Sequence, residues 1–256
     1  MAGGWPDLRR ERMLAGTVCG IDEAGVAPLA GPVVAAAVVL PSKERKPPAL
    51  RGLTDSKLLD RRERERLHAA IREHCSVGVG IASVAEIDTL NVYHANLRAM
   101  QRAVADLGVA PDAVLVDGRA APDLPCRVET VVKGDQRCVS IAAASVVAKV
   151  TRDAIMTGLA ADYPGYGWET NVGYGTDEHY LGLLRLGPTE HHRHSFAPIE
   201  TLFSGEHRRQ LGLRFEPSDG PCRVANLRLL ELRQDLIAIF DEDSRHVGVL
   251  KRLRGG

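Results

Sequence analysis

The chain has 256 residues, 45% of them hydrophobic, and no net charge, because 33 Lys and Arg balance 33 Asp and Glu. This balance excludes a uniformly basic nucleic-acid-binding surface, although a local basic groove facing an acidic site remains compatible with it. Five scattered cysteines without C-x-x-C spacing argue against a disulfide framework or a zinc site. No run has the apolar length of a signal peptide or a membrane span, so we expect a soluble, cytoplasmic protein.

The first predicted element is a pair of strands joined by a tight turn. After a polar leader over residues 1–16, which we expect to be loose, Val18 to Ile21 form an apolar run that ends in Asp22 and Glu23. A Gly/Pro-rich turn and the apolar run Val33 to Leu40 follow. Neighbouring side chains on a strand point to opposite faces, so we expect a backbone distortion if both acids serve one site. An exposed acidic turn and a site for a hard cation both fit this stretch.

Helix and strand signals alternate through the next part of the chain. Residues 53–58 resemble a helix cap and lead into a charged helix, whose arginines fit a solvated face better than a phosphate grip. Val77 to Ala82 predicts a strand. From Ser83, a predicted N-cap, apolar residues at steps of three and four predict a helix to about Leu107.

Two further apolar runs end in acids. The run Val114 to Val116 is followed by Asp117, and a predicted strand from Cys126 to Val132 is followed by Lys133-Gly134-Asp135. An Ala-rich segment from about Val139 to Ala161 predicts a long helix.

The remaining segments are a loop, a helix and a tail. Residues 163–175, rich in Gly and aromatic residues, predict a loop, and residues 177–186 predict a helix. The tail contains one good helical stretch, at about Ala225 to Phe240. Strands that alternate with long helices indicate an α/β domain.

Four acids thus stand at strand ends or helix starts: Asp22, Glu23, Asp117 and Asp135. Sites in α/β sheets collect at such ends, and four converging carboxylates would repel one another unless divalent cations neutralised them. Oxygen-only ligands favour Mg²⁺ or Mn²⁺, and two such ions can activate water for phosphodiester cleavage. Nearby cations are candidates for holding phosphates: Lys57, Lys133, Arg137, Lys149 and Arg152. Each acid taken alone is more often a capping or turn residue, so their convergence is an inference from the pattern as a whole.

Nine motifs, in order over residues 17–200, resemble those of the ribonuclease HII family, the type 2 ribonucleases H. They are Gly20-Ile21-Asp22-Glu23-Ala24-Gly25, Pro28-Leu29-Ala30-Gly31-Pro32-Val33-Val34, Asp55-Ser56-Lys57-Leu58, Val116-Asp117-Gly118, Lys133-Gly134-Asp135, Ser140-Ile141-Ala142-Ala143-Ala144-Ser145, Ala148-Lys149-Val150-Thr151-Arg152-Asp153, Gly173-Tyr174-Gly175-Thr176 and Ser195-Phe196-Ala197-Pro198.

The resemblance implies a ribonuclease H-like fold, in which helices flank a central mixed β-sheet, and a helical C-terminal extension. We expect a catalytic domain over residues 17–204 and an extension of unknown role over residues 205–256. The implied activity is hydrolysis of RNA paired to DNA, and of ribonucleotides embedded in duplex DNA, with 3′-hydroxyl and 5′-phosphate products, as in DNA replication and repair. The implied cofactor is Mg²⁺ or Mn²⁺ in a two-metal site.

The resemblance also implies roles for individual residues. The family's four catalytic, metal-binding acids fall on Asp22, Glu23, Asp117 and Asp135. Its nucleic-acid contacts fall on Gly25, Val26, Ala27, Lys57, Asn96, Ser145, Lys149 and Tyr174. Tyr174 matches a tyrosine that packs on the nucleotide at the DNA–RNA junction. Asp153 fits either a secondary acid or a helix-stabilising residue, and the histidine-rich segment 191–194 fits a basic structural segment better than a metal site.

One motif departs from the family. Where the family has Gly-Arg-Gly, which reads the 2′-hydroxyl at the cleavage site, this chain has Gly25-Val26-Ala27. An isopropyl group replaces the five donors of a guanidinium, and a methyl is added at a position where positive φ would disfavour it. The departure predicts weakened preference for single embedded ribonucleotides; ordinary substitution in a tolerant turn is the alternative.

A different class of function also stays open, because the same departure fits a catalytically impaired protein that binds RNA–DNA hybrids. The partners implied are the hybrid and ribonucleotide-containing duplex DNA, with no membrane. The family expectation is a monomer, and no sequence feature decides whether the tail contacts a sliding clamp.

Overall fold

The computed structural model describes residues 5–197 and 199–200, with residue 184 as backbone only, and the backbone of four strands beyond residue 212. The helices are α1 Arg9–Met13, α2 Arg61–His74, α3 Val84–Ala105, α4 Val139–Asp162, α5 Trp168–Asn171 and α6 Asp177–Leu186. The strands are β1 Val18–Ala24, β2 Val33–Val39, β3 Ser76–Ala82, β4 Ala113–Asp117, β5 Arg127–Val131, β6 Leu213–Pro217, β7 Arg228–Arg233, β8 Leu236–Phe240 and β9 His246–Arg252. The chain divides into two compact units, Met1–Val26 with Pro32–Ile155, and Ala27–Gly31 with Met156–Gly256.

The first unit contains a five-stranded mixed sheet in the order β3-β2-β1-β4-β5. Strands β1, β4 and β5 are parallel to one another, whereas β2 is antiparallel to both β1 and β3. Residues 25–32 join the antiparallel strands β1 and β2, whereas residues 40–75, which include α2, join the antiparallel strands β2 and β3. The parallel strands β4 and β5 are joined by residues 118–126. This is the central mixed sheet that the sequence resemblance implies.

Helices cover both faces of this sheet. Ala36 and Val38 of β2 pack in one core with apolar residues of α2 and α4. On the other face, α3 lies on β3, where any Cβ added at Gly78 or Gly80 would come within 2.1 Å or 2.0 Å of a backbone oxygen of α3. The two glycines therefore allow the helix backbone to approach the strand closely.

Local signals predicted most helix bounds well. Ser83 begins α3 with a capping box, because its hydroxyl accepts from the Glu86 N–H while the Glu86 carboxylate accepts from the Ser83 N–H. Helix α4 starts at Val139 as predicted, and α6 matches the predicted residues 177–186. The predicted loop over residues 163–175 is wrong in part, since it contains the single-turn helix α5.

The N-terminal segment is not the loose leader that its polarity suggested. Helix α1 buries Glu11, whose Oε1 accepts hydrogen bonds from the Ser140 N–H at 2.9 Å and the Ser140 hydroxyl at 2.8 Å. Leu8 and Leu14 are buried as well. A few buried leucines and one buried carboxylate anchor this segment although most of its residues are polar. The prediction of a loose leader over residues 1–16 was therefore wrong.

The helical C-terminal extension is also a correction. Residues 225–240 contain strands β7 and β8, which lie in an antiparallel sheet of the order β6-β9-β8-β7. Arg233 pairs with Leu236, so only two residues separate the strands. Apolar runs of five or six residues cannot be assigned to helix or strand by periodicity alone, and here the β-branched content of β8 and β9 favoured strands.

Two expectations on composition can be compared with the described residues. The four described cysteines, Cys19, Cys75, Cys126 and Cys138, are free thiols; Cys222 lies outside the described residues. In the described part of the chain, no helix combines the length and apolarity that a bilayer crossing requires.

Candidate active site

The carboxyl ends of two parallel strands bring Asp22 and Asp117 side by side. Ile21 of β1 is the register partner of Val116 of β4, so the acids that follow them are neighbours on adjacent strands about 4.8 Å apart. Side-chain alternation places both on the sheet face covered by α4, because Val18 and Leu115, at even steps before the acids, pack in one core with Ile141 of that helix. Asp22 is 6% exposed.

Asp135 is brought to the same end of the sheet by a tight turn after β5. Lys133 adopts a left-handed conformation (φ 56°), and a short 3₁₀ helix, Gly134–Gln136, follows. The Gly134 N–H donates to Asp117 Oδ1 at 2.6 Å, which ties the turn to the neighbouring strand. A Cβ at Gly134 would lie 2.5 Å from Ile141 Cδ1, so a glycine permits this close approach.

Glu23 reaches the site from the opposite face of the sheet. The β1–β2 ladder continues without interruption through Ala24, so the backbone distortion that we expected is absent from this strand. Instead, alternation directs Glu23 toward the face covered by α3, where Asn96 makes a side-chain hydrogen bond that lowers the pKa of Glu23. The charge of Asp117 nevertheless contributes to the raised pKa of Glu23, so the two carboxylates interact across the end of the sheet.

The acids respond to one another electrostatically. Burial, then the charges of Glu23 and Asp117, raise the pKa of Asp22 well above its usual value. Burial and Asp117 raise the pKa of Glu23 to about 7. Burial, then Asp55 and Asp117, raise the pKa of Asp135 to about 6. Mutual repulsion of this kind indicates a group of carboxylates that is incomplete without cations.

The donor set fits hard divalent cations. It consists of carboxylate oxygens, and Glu23 Oε2 is buried with no hydrogen-bond partner among the described residues. Within those residues, no three His, Cys, Asp or Glu side chains lie close enough together to form a group that could hold a metal ion.

Several predicted nucleic-acid contacts lie around these acids. Lys57 is exposed, and its charge lowers the pKa of both Glu23 and Asp135, so it faces the acidic end of the sheet. Ser145 is buried and its hydroxyl donates to Ser56 Oγ at 2.8 Å. Lys149 forms an ion pair at 2.8 Å with Asp153, one helical turn further along α4, which favours the helix-stabilising role for Asp153.

The altered tripeptide begins at a position that requires glycine. Gly25 has φ 93°, and a Cβ there would lie 1.9 Å from Arg152 Nε and 2.8 Å from the Pro32 carbonyl oxygen. Val26 and Ala27 do not have positive φ, so their side chains impose no strain on the turn. Arg152 is buried and donates to the Pro32 carbonyl at 3.0 Å, which makes it a support for the turn rather than the phosphate contact that we considered.

Tyr174 belongs to the second unit, where a buried hydrogen-bond chain holds its backbone. His179 Nδ1 lies 2.9 Å from the Tyr174 carbonyl oxygen and therefore carries a proton, so its Nε2 accepts from Trp168 Nε1–H at 3.1 Å. His192 accepts the Thr189 N–H at its Nδ1 and donates from Nε2 to His179 Nε2 at 3.1 Å. Burial, then the neighbouring histidines, lower the pKa of His192 to about 3. These two histidines are neutral structural residues. The sequence interpretation favoured a structural role for segment 191–194, which contains His192, but described it as basic and did not consider His179.

The sequence reasoning missed two members of the site. Asp55 caps the 3₁₀ helix Ser56–Leu58, accepts from Gln136 Nε2 at 3.3 Å, and raises the pKa of Asp135. The signal was present, because Asp55 opens the motif that supplied Lys57. Gln136 carries no such signal, since it stands outside every motif and only the fold brings it to Asp55.

Comparison with known proteins identifies the family. The family model for Ribonuclease HII matches residues 19–199. The chain belongs to the ribonuclease HII family. It is 52% identical over 202 residues to the ribonuclease HII of Granulibacter bethesdensis, covering 78% of this chain and 92% of that one. It is 51% identical over 201 residues to the ribonuclease HII of Jannaschia sp., covering 78% and 99%.

A solved ribonuclease HII supports the same assignment. The enzyme of Archaeoglobus fulgidus, determined in complex with PCNA, superposes with a TM-score of 0.57 at 27% identity and covers 70% of this chain and 94% of that one. The ribonuclease H-like fold that the sequence resemblance implied is therefore confirmed for the matched residues. As a ribonuclease HII, the chain is an endoribonuclease that acts on RNA–DNA hybrids.

Proposed function

We propose that this ribonuclease HII cleaves the RNA strand, and single ribonucleotides embedded in duplex DNA, at a two-metal site held by Asp22, Glu23, Asp117 and Asp135. The observation that carries the proposal is geometric: Asp22 and Asp117 follow register partners on adjacent parallel strands, and the turn that carries Asp135 is tied to Asp117 by the Gly134 N–H. The raised pKa values of Asp22, Glu23 and Asp135, caused first by burial and then by neighbouring carboxylates, support it. Bound Mg²⁺ or Mn²⁺ would supply an activated water and neutralise charge at the scissile phosphate, giving 3′-hydroxyl and 5′-phosphate ends.

The chain's own residues would divide the remaining work. Lys57, exposed beside the acids, would attract the phosphate backbone, and Ser145 and Lys149 on α4 would extend that contact along the substrate. Asn96 would orient Glu23. Tyr174 would pack on the sugar of the junction nucleotide.

The metal assignment is testable without measuring cleavage. In a chelator at pH 8, Asp135→Asn removes one of several repelling charges, so it should raise the free energy of unfolding by about 1–2 kcal/mol. Mg²⁺ should raise the thermal midpoint of the natural chain and raise that of the variant much less. A variant that is no more stable than the natural chain in chelator, with an equal response to Mg²⁺, would contradict the assignment.

We further propose that Val26 and Ala27 weaken the preference for single embedded ribonucleotides. Since these positions lack positive φ, the departure changes the groups offered to the substrate and leaves the turn itself intact. An arginine–hydroxyl hydrogen bond contributes about 1.5–3 kcal/mol, so its loss would cost roughly 10- to 100-fold in preference.

The experiment compares cleavage of a duplex carrying one ribonucleotide with cleavage of a long RNA–DNA hybrid. The double variant Val26→Arg, Ala27→Gly should raise the ratio of the two rates by at least about tenfold. Equal ratios for the natural chain and the double variant would overturn the specificity proposal while leaving the metal site untouched.

The alternative function is binding of RNA–DNA hybrids with impaired catalysis, which the altered tripeptide alone favours. Hybrid cleavage in Mg²⁺ or Mn²⁺ that disappears in Asp22→Asn would eliminate it. Binding without cleavage in either metal would establish it instead.

Two expectations about partners complete the proposal. The enzyme would act as a monomer, which light scattering at working concentration would test. The Archaeoglobus fulgidus relative was solved with PCNA, so mixing this chain with a sliding clamp in size-exclusion chromatography tests whether a similar contact exists here.

A further inference from the structure

Helix α3 is broken at Asn91. This residue has φ 65° and ψ 163°, a combination that is almost confined to glycine and strained for other residues. Its side-chain Oδ1 accepts a hydrogen bond from the His94 N–H at 3.2 Å, as an N-cap residue does at the start of a helix. Asn91 therefore ends one short helix, over residues 84–90, and caps a second one, over residues 92–105.

The two parts of α3 are clamped together by an ion pair. Arg102 donates to both carboxylate oxygens of Glu86 at 2.8 Å, although the two residues are 16 positions apart. A straight helix would separate them by about 24 Å, far more than two side chains can span. The chain must therefore turn sharply at Asn91, and the bidentate pair holds the turn closed. Arg102 also donates to the Ile81 carbonyl at 2.6 Å, which attaches the clamp to β3.

This break determines where Asn96 stands. Asn96 follows Asn91 by five positions in the second part of α3 and is 8% exposed. Alternation along β1 directs Glu23 to the sheet face that α3 covers, where the Asn96 side chain is near enough to lower the pKa of Glu23. The Asn96 Oδ1 has no hydrogen-bond partner among the residues that the structure describes. Since each helical residue turns by about 100°, restarting the helix one residue earlier or later would rotate Asn96 away from Glu23.

An accidental kink does not account for these observations. Neither a proline nor a glycine stands at the break, and strain of this kind persists only where the surroundings enforce it. A glycine would relieve the strain but would lose the cap. We propose that Asn91 is a positioning residue for the ribonuclease reaction: its capped helix break, held by the Glu86–Arg102 pair, sets Asn96 against Glu23. The proposal rests on the proposed role of Glu23 in catalysis.

The test compares Asn91→Gly with Asn91→Ala in single-turnover cleavage of an RNA–DNA hybrid, together with hybrid affinity and thermal unfolding. Glycine tolerates the backbone conformation, so Asn91→Gly should keep its rate within about threefold of the natural chain. The same backbone conformation is unfavourable for alanine. The cleavage rate of Asn91→Ala should therefore fall roughly tenfold or more, while its affinity for the hybrid stays within about threefold of the natural chain's. Equal rates for the glycine and alanine variants, or a loss confined to affinity, would overturn the proposal.

A second comparison separates positioning from general destabilisation. In the Asn96→Ala background, Asn91→Ala should not lower the cleavage rate further, because Asn91 affects the rate only through the position of Asn96. If each substitution instead lowers the rate by its own independent factor in the double variant, the proposal is wrong. If Asn91→Ala does not fold, Glu86→Gln replaces it with the same expectation, since this change weakens the ion pairs with Arg102 and Arg98 but keeps a side-chain oxygen that can accept from the Ser83 N–H. Glu65→Gln removes a comparable exposed pair with Arg61 on α2 and serves as the matched control, with an unchanged rate.

Different results would contradict the proposed active site and the positioning role of Asn91. If Glu23→Gln cleaves as fast as the natural chain, the proposed active site is wrong. If Glu23→Gln abolishes cleavage but Asn91→Ala does not reduce it, only the positioning role of Asn91 is wrong.

Discussion

At the scale of single residues, Gly25 carries two constraints that its neighbours lack. It needs positive φ, and it leaves the space that the buried Arg152 side chain fills. Neither constraint applies to Val26 or Ala27. The turn can therefore change the groups that it presents to a substrate while one glycine and one arginine maintain its path.

Gly25→Ala should consequently lose both stability and cleavage. The added methyl would overlap Arg152 Nε, and the positive φ adds of order 1 kcal/mol of strain, so we expect a loss of about 2 kcal/mol or more in the free energy of unfolding. Urea denaturation measures this directly. Val26→Ala is the control and should change stability by less than about 1 kcal/mol. A Gly25→Ala chain as stable as this control would contradict the packing argument.

His192 predicts a pH dependence of stability. Its folded pKa of about 3 lies below the ordinary 6.5, so between these values the unfolded chain binds a proton that the folded chain does not. The free energy of unfolding contributed by this residue should be fully present above pH 6.5 and fall toward pH 3, by up to about 1.4 kcal/mol per pH unit.

The measurement is urea denaturation at several pH values for the natural chain and for His192→Gln, which keeps a donor but does not titrate. The variant should show a shallower fall in stability below pH 6.5. Identical slopes would show that His192 does not remain neutral in the folded chain.

At the scale of elements, the start of α4 depends on α1. The Ser140 N–H belongs to the first turn of α4, where backbone donors lack partners within the helix, and the buried Glu11 carboxylate accepts it. A negative charge at this end also interacts favourably with the helix dipole. Since α4 carries Ser145 and Lys149, the N-terminal segment contributes to the geometry of the proposed substrate contacts.

Glu11→Ala should therefore destabilise the chain by about 1–3 kcal/mol, because it leaves the buried Ser140 donors unsatisfied. Glu11→Gln retains an acceptor oxygen and should cost less. Hydrogen exchange at the first turn of α4 and urea denaturation measure the effect. An alanine variant no less stable than the glutamine variant would indicate that the carboxylate does not cap the helix.

Much of this architecture could be predicted from sequence because the signals are local. Ser83 with Glu86, and Thr176 before α6, cap helices through contacts three residues away, so their starts follow from the chain itself. The break at Asn91 could not be predicted, since it is stabilised by Arg102, which is distant in sequence. The strands β7 and β8 were predicted as a helix because their pairing partners, too, are distant.

The residues of the candidate site also separate into those that could be predicted from the sequence and those that could not. The four acids could be located because each ends a strand or a strand-to-helix turn, and the family motifs mark them. Their division between two sheet faces could not be predicted without the strand register, and neither could the contact of Glu23 with Asn96. The role of Arg152 was misjudged because a sequence shows a charge but does not show its burial.

At the scale of the whole molecule, the four acids lie in the first compact unit, and the family match ends at residue 199. The 201 residues aligned with the Jannaschia relative cover 99% of that chain and 78% of this one. We therefore expect the family activity not to depend on residues 205–256.

A chain ending at residue 204 should keep its rate of hybrid cleavage within about threefold, since it retains every residue of the proposed site. Steady-state cleavage of an RNA–DNA hybrid by the short and the full chain measures this. Circular dichroism establishes that the short chain is folded. A folded short chain with a much lower kcat would assign the tail a direct role in catalysis.

The division of Asp22 and Glu23 between two faces also limits how β1 can vary. A one-residue slip of β1 against β2 and β4 would exchange the faces of every side chain, placing Glu23 beside α4 and Asp22 beside Asn96. Such a slip would retain both carboxylates. However, the longer Glu23 side chain would then lie on the α4 face and the shorter Asp22 side chain on the α3 face. Single-residue insertions or deletions within β1 should therefore be tolerated less well than substitutions at the same positions, even where the apolar pattern would allow them.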